Sequence, residues 1–429
     1  MLRGVTHMRN PLRPGNRLPP EIIVLCAAFI PHTDPKPIVS LTHVCRYWRG
    51  AITSSPGNWT LIGSRWKRLV PLCLERAGVA PLTVDISMTR LEQGDNFVQA
   101  LLPHVSRISN LSLTGYPSLE NAANILSSPM LNLTSLKFKS PNWTKIRLSP
   151  VLSNIKSLVQ LEFIRCEFSF RGFIGFLESN PHLEILDLDI SFSATTPVLE
   201  RGVSLPRLRR LALTCNPTDA RALFSSLLLP RGINIEVHGR SSSDGLTSYL
   251  PCPSTLIEDL LAPIPTIKYL RNNGQMHLSG NNGSFSFYSH AMPQKVYEEL
   301  DLFATGAVRE LHLHFYSEDP LSLLLERLPA LEAFAIYRAS CSQSLSALGG
   351  EPPLCPSLKT IAFLDCWRLP IDQLEGVLAE REHSIAARLH RVVIAIDKGD
   401  FPKYDLVTRL RKLGPRVDFM MGSKLPDLL

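Results

Sequence analysis

The sequence predicts an α/β solenoid behind a small all-helical module, on three observations. The first is a recurrent spacing. Ile108-x-x-Leu111-x-Leu113 returns as Leu133-x-x-Leu136-x-Phe138, Leu158-x-x-Leu161-x-Phe163, Leu183-x-x-Leu186-x-Leu188 and Leu208-x-x-Leu211-x-Leu213, each copy starting 25 residues after the last. A fixed interval of this size marks a solenoid, whose units bury their apolar sides against their neighbours. The second is a proline-broken pair of helix-period apolar stretches ahead of that array. The third is bulk composition: 429 residues, 45% hydrophobic and 19% charged, globular in balance and too long for one compact core.

Four segments follow. Residues 1–17 contain Arg3, Arg9, Arg13 and Arg17 with no acid before Glu21, and are expected to be a disordered basic segment. Residues 18–62 form the helical module, 63–100 a linker helix and the start of the solenoid, and 101–429 the solenoid proper, with an irregular middle at about 238–300. The formal net charge is +7, but bases and acids alternate over most of the chain. That distribution is a solvated surface, not the one-sided basic stripe that nucleic acid needs. The first 20 residues lack the apolar core of a secretory signal, and no apolar run reaches the ~18 residues of a membrane span. The nine cysteines are dispersed and odd in number, as expected of reduced intracellular thiols. The N-x-S/T sequons at Asn58, Asn110, Asn132, Asn142 and Asn282 then read as chance matches.

In the module, Pro20 suits a first helical turn and Glu21 the positive end of the helix dipole. Ile22, Ile23, Leu25, Cys26, Phe29 and Ile30 supply apolar side chains, and Pro31, Pro35 and Pro37 break the helix. Ile38, Leu41, Val44, Cys45 and Trp48 then recur at helical spacing. A module this short has little core of its own, which leaves two readings open. Its apolar face docks a partner, or it caps the hydrophobic end of the solenoid.

In each repeat the L-x-L portion is expected to be a strand with its apolar residues turned inward, since strand side chains alternate. The intervening positions form an outward strip: Ser112 and Thr114, Lys137 and Lys139, Glu162 and Ile164, Asp187 and Asp189, Ala212 and Thr214. Cys166 and Asn216 lie three residues beyond the last apolar position, where a buried Asn or Cys would satisfy loop backbone groups. Beyond residue 213, Ile233 to Val237 alternates as a strand. Met276-His277-Leu278 and Phe285 to Tyr288 flank an Asn282-Gly283 hairpin cue. The spacing resumes at Val308, Leu331, Leu358 and Leu389, with Cys366 again in the position three beyond.

The L-x-x-L-x-L spacing resembles the leucine-rich-repeat signature, which implies a right-handed α/β horseshoe-like array. The segment Leu18-Pro19-Pro20-Glu21-Ile22, followed by Val44-Cys45-Arg46-Tyr47-Trp48-Arg49 and by Ser55-Pro56-Gly57-Asn58-Trp59, resembles an F-box of the fungal F-box-like type. Leu72 to Leu82 resembles the usual continuation of such proteins. The resemblance spans residues 18–86 and implies recruitment: the F-box binds a Skp-family adaptor and through it a cullin–RING ubiquitin ligase. Leu18, Pro19, Pro20, Ile22, Val44, Cys45 and Trp48 match the positions expected to form or support that surface.

No phosphate loop, nucleophile elbow, H-E-x-x-H or dinucleotide fingerprint occurs. Asp187-x-Asp189 lies on a repeat strand and reads as exposed carboxylates. His312-x-His314 lacks the further ligands of a metal site and reads as solvent- or ligand-facing. The expectation is a non-catalytic, intracellular adaptor with no cofactor, no nucleic acid and no membrane. Lys137, Lys139, Glu162, Asp187, Asp189, His312 and His314 are its candidate contacts to an unknown target protein. The alternative is a leucine-rich scaffold whose helical segment only caps the array.

Overall fold

Proline sets the start of the first helix. Pro20 opens α1 (Pro20–Ala28), with Glu21 in its first turn. The computed structural model describes residues 18–30, 35–87, 97–115, 123–126, 128–146, 154–193, 202–240, 245–251, 264, 266–270, 275–280, 283–288, 305–314, 321–337, 341–349, 354–366, 369–382, 388–396, 408–409, 412 and 415–421. The expected basic segment 1–17 lies outside these residues. The chain divides into two compact units, 1–197 with 203–207 and 198–202 with 208–429.

The second apolar stretch is two helices, α2 (Lys36–Leu41) and α3 (Arg46–Thr53), where the spacing suggested one. Thr42 closes α2, its hydroxyl donating to the Val39 carbonyl at 2.6 Å. Cys45 is extended, and its thiol caps α3 by accepting from the Trp48 N–H at 3.5 Å. Arg49 ties the two helices together through the Thr42 carbonyl at 2.9 Å. Ile23, Ala27, Ile38, Ala51 and Ile52 point inward and are buried. Trp59 is buried beneath them. Its indole N–H donates to the Ile52 carbonyl at 3.0 Å, and the Arg76 guanidinium of α4 (Val70–Ala77) lies 4.3 Å over its ring. The module is thereby joined to the array.

In the first unit, β1 (Leu61–Gly63), β2 (Leu82–Ser87), β3 (Ile108–Thr114), β4 (Ser135–Ile146), β5 (Gln160–Phe168) and β6 (Ile185–Phe192) pair in parallel in chain order. The repeat is in register: Leu111, Leu136, Leu161 and Leu186 form one row, and Leu113, Phe138, Phe163 and Leu188 the next. All eight are buried, as their inward position requires. Each such side chain contributes about 1.5–3 kcal/mol relative to exposure. The helical pieces α5 (Phe97–Leu101), α6 (Ala123–Leu126) and α7 (Phe170–Glu178) connect the strands, and α7 lies against β7 (Val203–Ser204). Phe163, Phe168, Phe173 and Phe192 form a chain of ring contacts with centroids 5.0, 5.3 and 5.9 Å apart.

Two polar residues hold this unit's turns. Arg165 adopts a left-handed φ of 58°, creating a bulge that places Cys166 opposite Ile190 and inside. Cys166 is therefore a buried small hydrophobe whose thiol reaches the Ile164 carbonyl at 3.4 Å. Asn180 is fully buried. Its amide donates to the carbonyls of Ile155 at 3.1 Å and Phe176 at 3.0 Å, and its oxygen accepts from the Leu158 N–H at 3.3 Å.

In the second unit, β8 (Arg210–Cys215) leads through α8 (Pro217–Ser226) and the short β9 (Leu227–Leu228) to β10 (Asn234–Gly239). Asn216 is not a buried loop residue as expected. It is half-buried and caps α8, accepting from the Asp219 N–H at 2.9 Å. The hairpin expected around Gly283 is β12 (Gln275–Ser279) with β13 (Ser284–Tyr288), the cue residue Asn282 itself lying outside the described residues. A further strand, β11 (Thr266–Leu270), makes it a three-stranded antiparallel meander. β13 pairs in parallel with β10, and β11 with β14 (Glu310–His314). From there β15 (Ala333–Tyr337), β16 (Thr360–Leu364), β17 (Arg391–Ile396) and β18 (Arg416–Met421) pair in parallel. The helices α9 (Leu321–Glu326), α10 (Ser342–Leu348) and α11 (Ile371–Glu382) lie between them in sequence. Arg381 of α11 is buried and donates to the carbonyls of Leu348, Leu354 and Cys355.

Replacing Asn180 by Leu removes three backbone partners from a dry site. The expected loss is about 2–4 kcal/mol, read as a lower urea midpoint. Lys139→Ala, on the outward strip, is expected to change stability by no more than about 0.5 kcal/mol. Equal midpoints for the two variants would refute this role for Asn180.

Candidate functional site

Two surfaces are offered by the first unit. The larger in apolar content is on the helical module. Leu18, Ile22, Leu25 and Phe29 follow one another at intervals of four, three and four residues, so they line one side of α1. Phe29 is 81% exposed, Leu25 52% and Val44, between α2 and α3, 58%. Tyr47 is also exposed, and its hydroxyl donates to the Leu18 carbonyl at 2.9 Å, joining α3 to the start of α1. These six account for more than half of the large exposed hydrophobic side chains among the described residues. Fully buried Ile23 and Ala27 hold the opposite side of α1, so the helix is apolar on both sides and only one side is used by the fold.

The sequence-expected adaptor residues fall into two groups. Leu18, Pro19, Pro20, Ile22 and Val44 are exposed. Cys45 and Trp48 are half-buried and shape the start of α3. Leu25, Phe29 and Tyr47 belong to the same face but were not singled out by the motif. The signal for Leu25 and Phe29 was their spacing from Ile22; Tyr47 is brought there by its hydrogen bond to the Leu18 carbonyl.

The second surface is the outward strip of β2 to β6. Asp85, Ser112, Lys137, Glu162 and Asp187 share one register row, and Ser87, Thr114, Lys139, Ile164 and Asp189 the next. Lys137 and Glu162 form an ion pair across adjacent strands. Lys139 is exposed, while Asp187 and Asp189 are half-buried. The bases sit together on β4 and, apart from Asp85 on β2, the acids on β5 and β6, so the strip changes sign between β4 and β5, across one strand spacing.

The same positions in the second unit differ. Ala212, expected to be exposed, is buried, and Ala333, Ala335, Ala362, Leu364, Val393 and Ala395 form a buried apolar cluster on the outward side of β15 to β17. His312 was expected to face solvent or a ligand. It is 1% exposed, with one ring nitrogen paired to the Glu310 carboxylate and the other 3.4 Å from the Tyr337 hydroxyl. Its outward position in the strand is real, but that part of the face is not open. The side chain of His314 lies outside the described residues. The hydrogen bond from His312 holds Glu310 below the usual carboxylate range, with Lys268 and the Thr266 hydroxyl adding to the effect against burial. Next to this network, His277 bonds the Ser286 hydroxyl at 2.7 Å, and burial followed by Lys268 lowers its pKa.

Among the described residues no group of three or more His, Cys, Asp or Glu is placed to hold a metal ion. None of their helices is long and apolar enough to cross a membrane. Of the sequons, Asn58 is buried and Asn110 donates to the Thr83 hydroxyl at 3.1 Å.

No family model matches the chain, and no curated protein is significantly similar to it. Among solved structures, the chain is similar to an internalin of Listeria monocytogenes, at 12% identity and a TM-score of 0.35. The match covers 76% of this chain and 89% of the internalin chain.

Because the folded-state pKa of Glu310 is depressed, its contribution to stability is complete above the ordinary value of 4.5. It is lost as pH falls through the lower folded value. Glu310→Gln is therefore expected to lower the melting temperature at neutral pH, where the contribution is complete, and to flatten its fall with pH below that range. Identical slopes for the two proteins would refute the His312–Glu310 coupling.

Proposed function

We propose that this chain is a non-catalytic recognition subunit of a Skp–cullin–F-box type ubiquitin ligase. The helical module docks a Skp-family adaptor, and the outward strip of the repeats holds a target protein. The observation that carries the reading is the open apolar face of α1 to α3. It coincides with the residues that resemble an F-box, and it is left uncovered while the module's other side packs on Trp59. Hydrophobic anchors of this kind contribute ~2 kcal/mol or more each when an interface desolvates them. The ligase chemistry belongs to other subunits, and this chain supplies proximity and orientation.

Lys137, Lys139, Glu162, Asp187 and Asp189 are the residues proposed to meet the target, because the sign change they create favours one orientation of a charged partner over its reverse. The buried His312 takes no part in that contact. The burial of Trp59 against α4 favours a second reading, in which the module caps the array and the chain is a scaffold. The two readings differ in what the outer side of α1 does, since capping uses only the inner side.

The test is calorimetric titration of the intact chain with a purified Skp-family adaptor. Binding is expected, and Ile22→Asp combined with Phe29→Asp is expected to weaken it by about 100-fold or more. Both side chains are exposed, so the melting temperature of the variant should match the parent. No binding by the parent, or equal binding by the variant, would leave the scaffold reading standing.

A further inference from the structure

Two thiols of consecutive repeats in the second unit are in contact. Cys341 precedes α10, just after β15, and is fully buried. Cys366 follows β16 and is half-buried. The Cys366 sulfur lies 3.4 Å from the carbonyl of Ile336, near the end of β15 and five residues before Cys341 in the chain. The two side chains are hydrogen-bonded to each other. Asp365, directly before Cys366, holds a left-handed φ of 53° and turns the chain so that the sulfur aims back at the preceding repeat. Cys366 also reaches the Leu364 carbonyl of its own strand at 3.7 Å, as Cys166 reaches that of Ile164, while Cys355 reaches the Leu325 carbonyl of the preceding repeat at 3.3 Å.

We propose that Cys341 and Cys366 are a redox pair, which hydrogen peroxide converts reversibly to a disulfide that staples two consecutive repeats. Cys366 is the entry point because it is the more accessible sulfur. Its thiolate attacks one peroxide oxygen, the O–O bond breaks, and the departing hydroxide takes up a proton to leave as water. The product is a sulfenic acid on Cys366. The Cys341 sulfur then attacks the Cys366 sulfur. The S–S bond forms, the S–O bond breaks, and the hydroxyl leaves as a second water carrying the Cys341 proton. In total two thiols are oxidised by two electrons and one peroxide is reduced to two waters. The hydrogen bond and burial both push the Cys341 thiol up, so Cys341 acts as the resolving sulfur and not as the first nucleophile. Closing a loop of this length restricts the unfolded chain and stabilises the second unit.

The experiment treats the intact chain with hydrogen peroxide, blocks free thiols, digests with trypsin without reduction and reads the peptides by mass spectrometry. The expected result is a cross-link between peptides 339–359 and 360–368, with fragment ions placing it on Cys341 and not on Cys355. The melting temperature should rise by roughly 5–10 °C and return after dithiothreitol. Cys341→Ser should trap Cys366 as a sulfenic acid that dimedone captures. A parent protein in which Cys366 is oxidised while Cys341 stays a thiol, or in which the cross-link falls on Cys355, would overturn the proposal. The parent is read directly, so it stays testable even if a variant fails to fold.

Discussion

The constraint on which the rest depends is the alignment of inward side chains from strand to strand. A lone strand with two buried positions has no core, and it gains one only when the next strand presents apolar side chains at the same height. This is why Leu111, Leu136, Leu161 and Leu186 stand in one row. The interval between strands matters much less than their register. Successive copies at 308, 331, 358 and 389 are unevenly spaced, yet Leu311, Phe334, Ile361 and Val392 still align without a shift. The differences in length are taken up in the connections. The meander obeys the same rule by parity. Two reversals of direction between β11 and β13 return the chain to its original sense, so β13 continues β10 in parallel and β14 continues β11.

Once the inward rows supply the core, the alternate positions are free of structural duty, and the two units use that freedom differently. In the first unit they carry opposite charges on neighbouring strands, which a core would not tolerate and a binding face can use. In the second, those of β15 to β17 are mostly alanine, valine and leucine beside a buried histidine–carboxylate pair, while Glu236 on β10 and Asp418 on β18 stay charged and ion-paired. Cross-strand ion pairs such as Lys137–Glu162 contribute little to stability when half exposed. Their consequence is the pattern of potential they present.

Much of this was legible in the sequence, and the failures have physical causes. The constant period identified β3 to β6 and β8 together with their buried residues, because register and burial demand the same leucines. β18 escaped notice because the position three before Val417 is Gly414, not an apolar residue; β11 was overlooked although Ile264-x-x-Ile267-x-Tyr269 carries the spacing. The hairpin was read from its turn, but a turn says nothing of a third strand. His312 was assigned to an open face by alternation alone. The small apolar residues at the equivalent positions of β15 to β17 were the available sign that the face there is not open. On α1, hydrophobicity on all sides hid which side faces out, and only the packing of Ile23 and Ala27 on the rest of the module decides it.

The connection between the module and the array bears on what the chain could do as an adaptor. Trp59 is followed within two residues by β1, and β1 is already paired with β2, the Thr60 carbonyl accepting from the Thr83 N–H at 3.0 Å. No flexible linker intervenes. A partner seated on Leu18, Ile22, Leu25 and Phe29 would thus be held at a fixed angle to the strip running through Lys137, Glu162 and Asp187. A subunit that contributes no chemistry can accelerate a transfer only by fixing such geometry, since the gain from proximity is lost when donor and acceptor tumble independently. The buried Trp59, which a capping role would also require, is therefore equally compatible with the proposed docking: it joins the module that bears the outer apolar face to the compact unit that bears the charged strip.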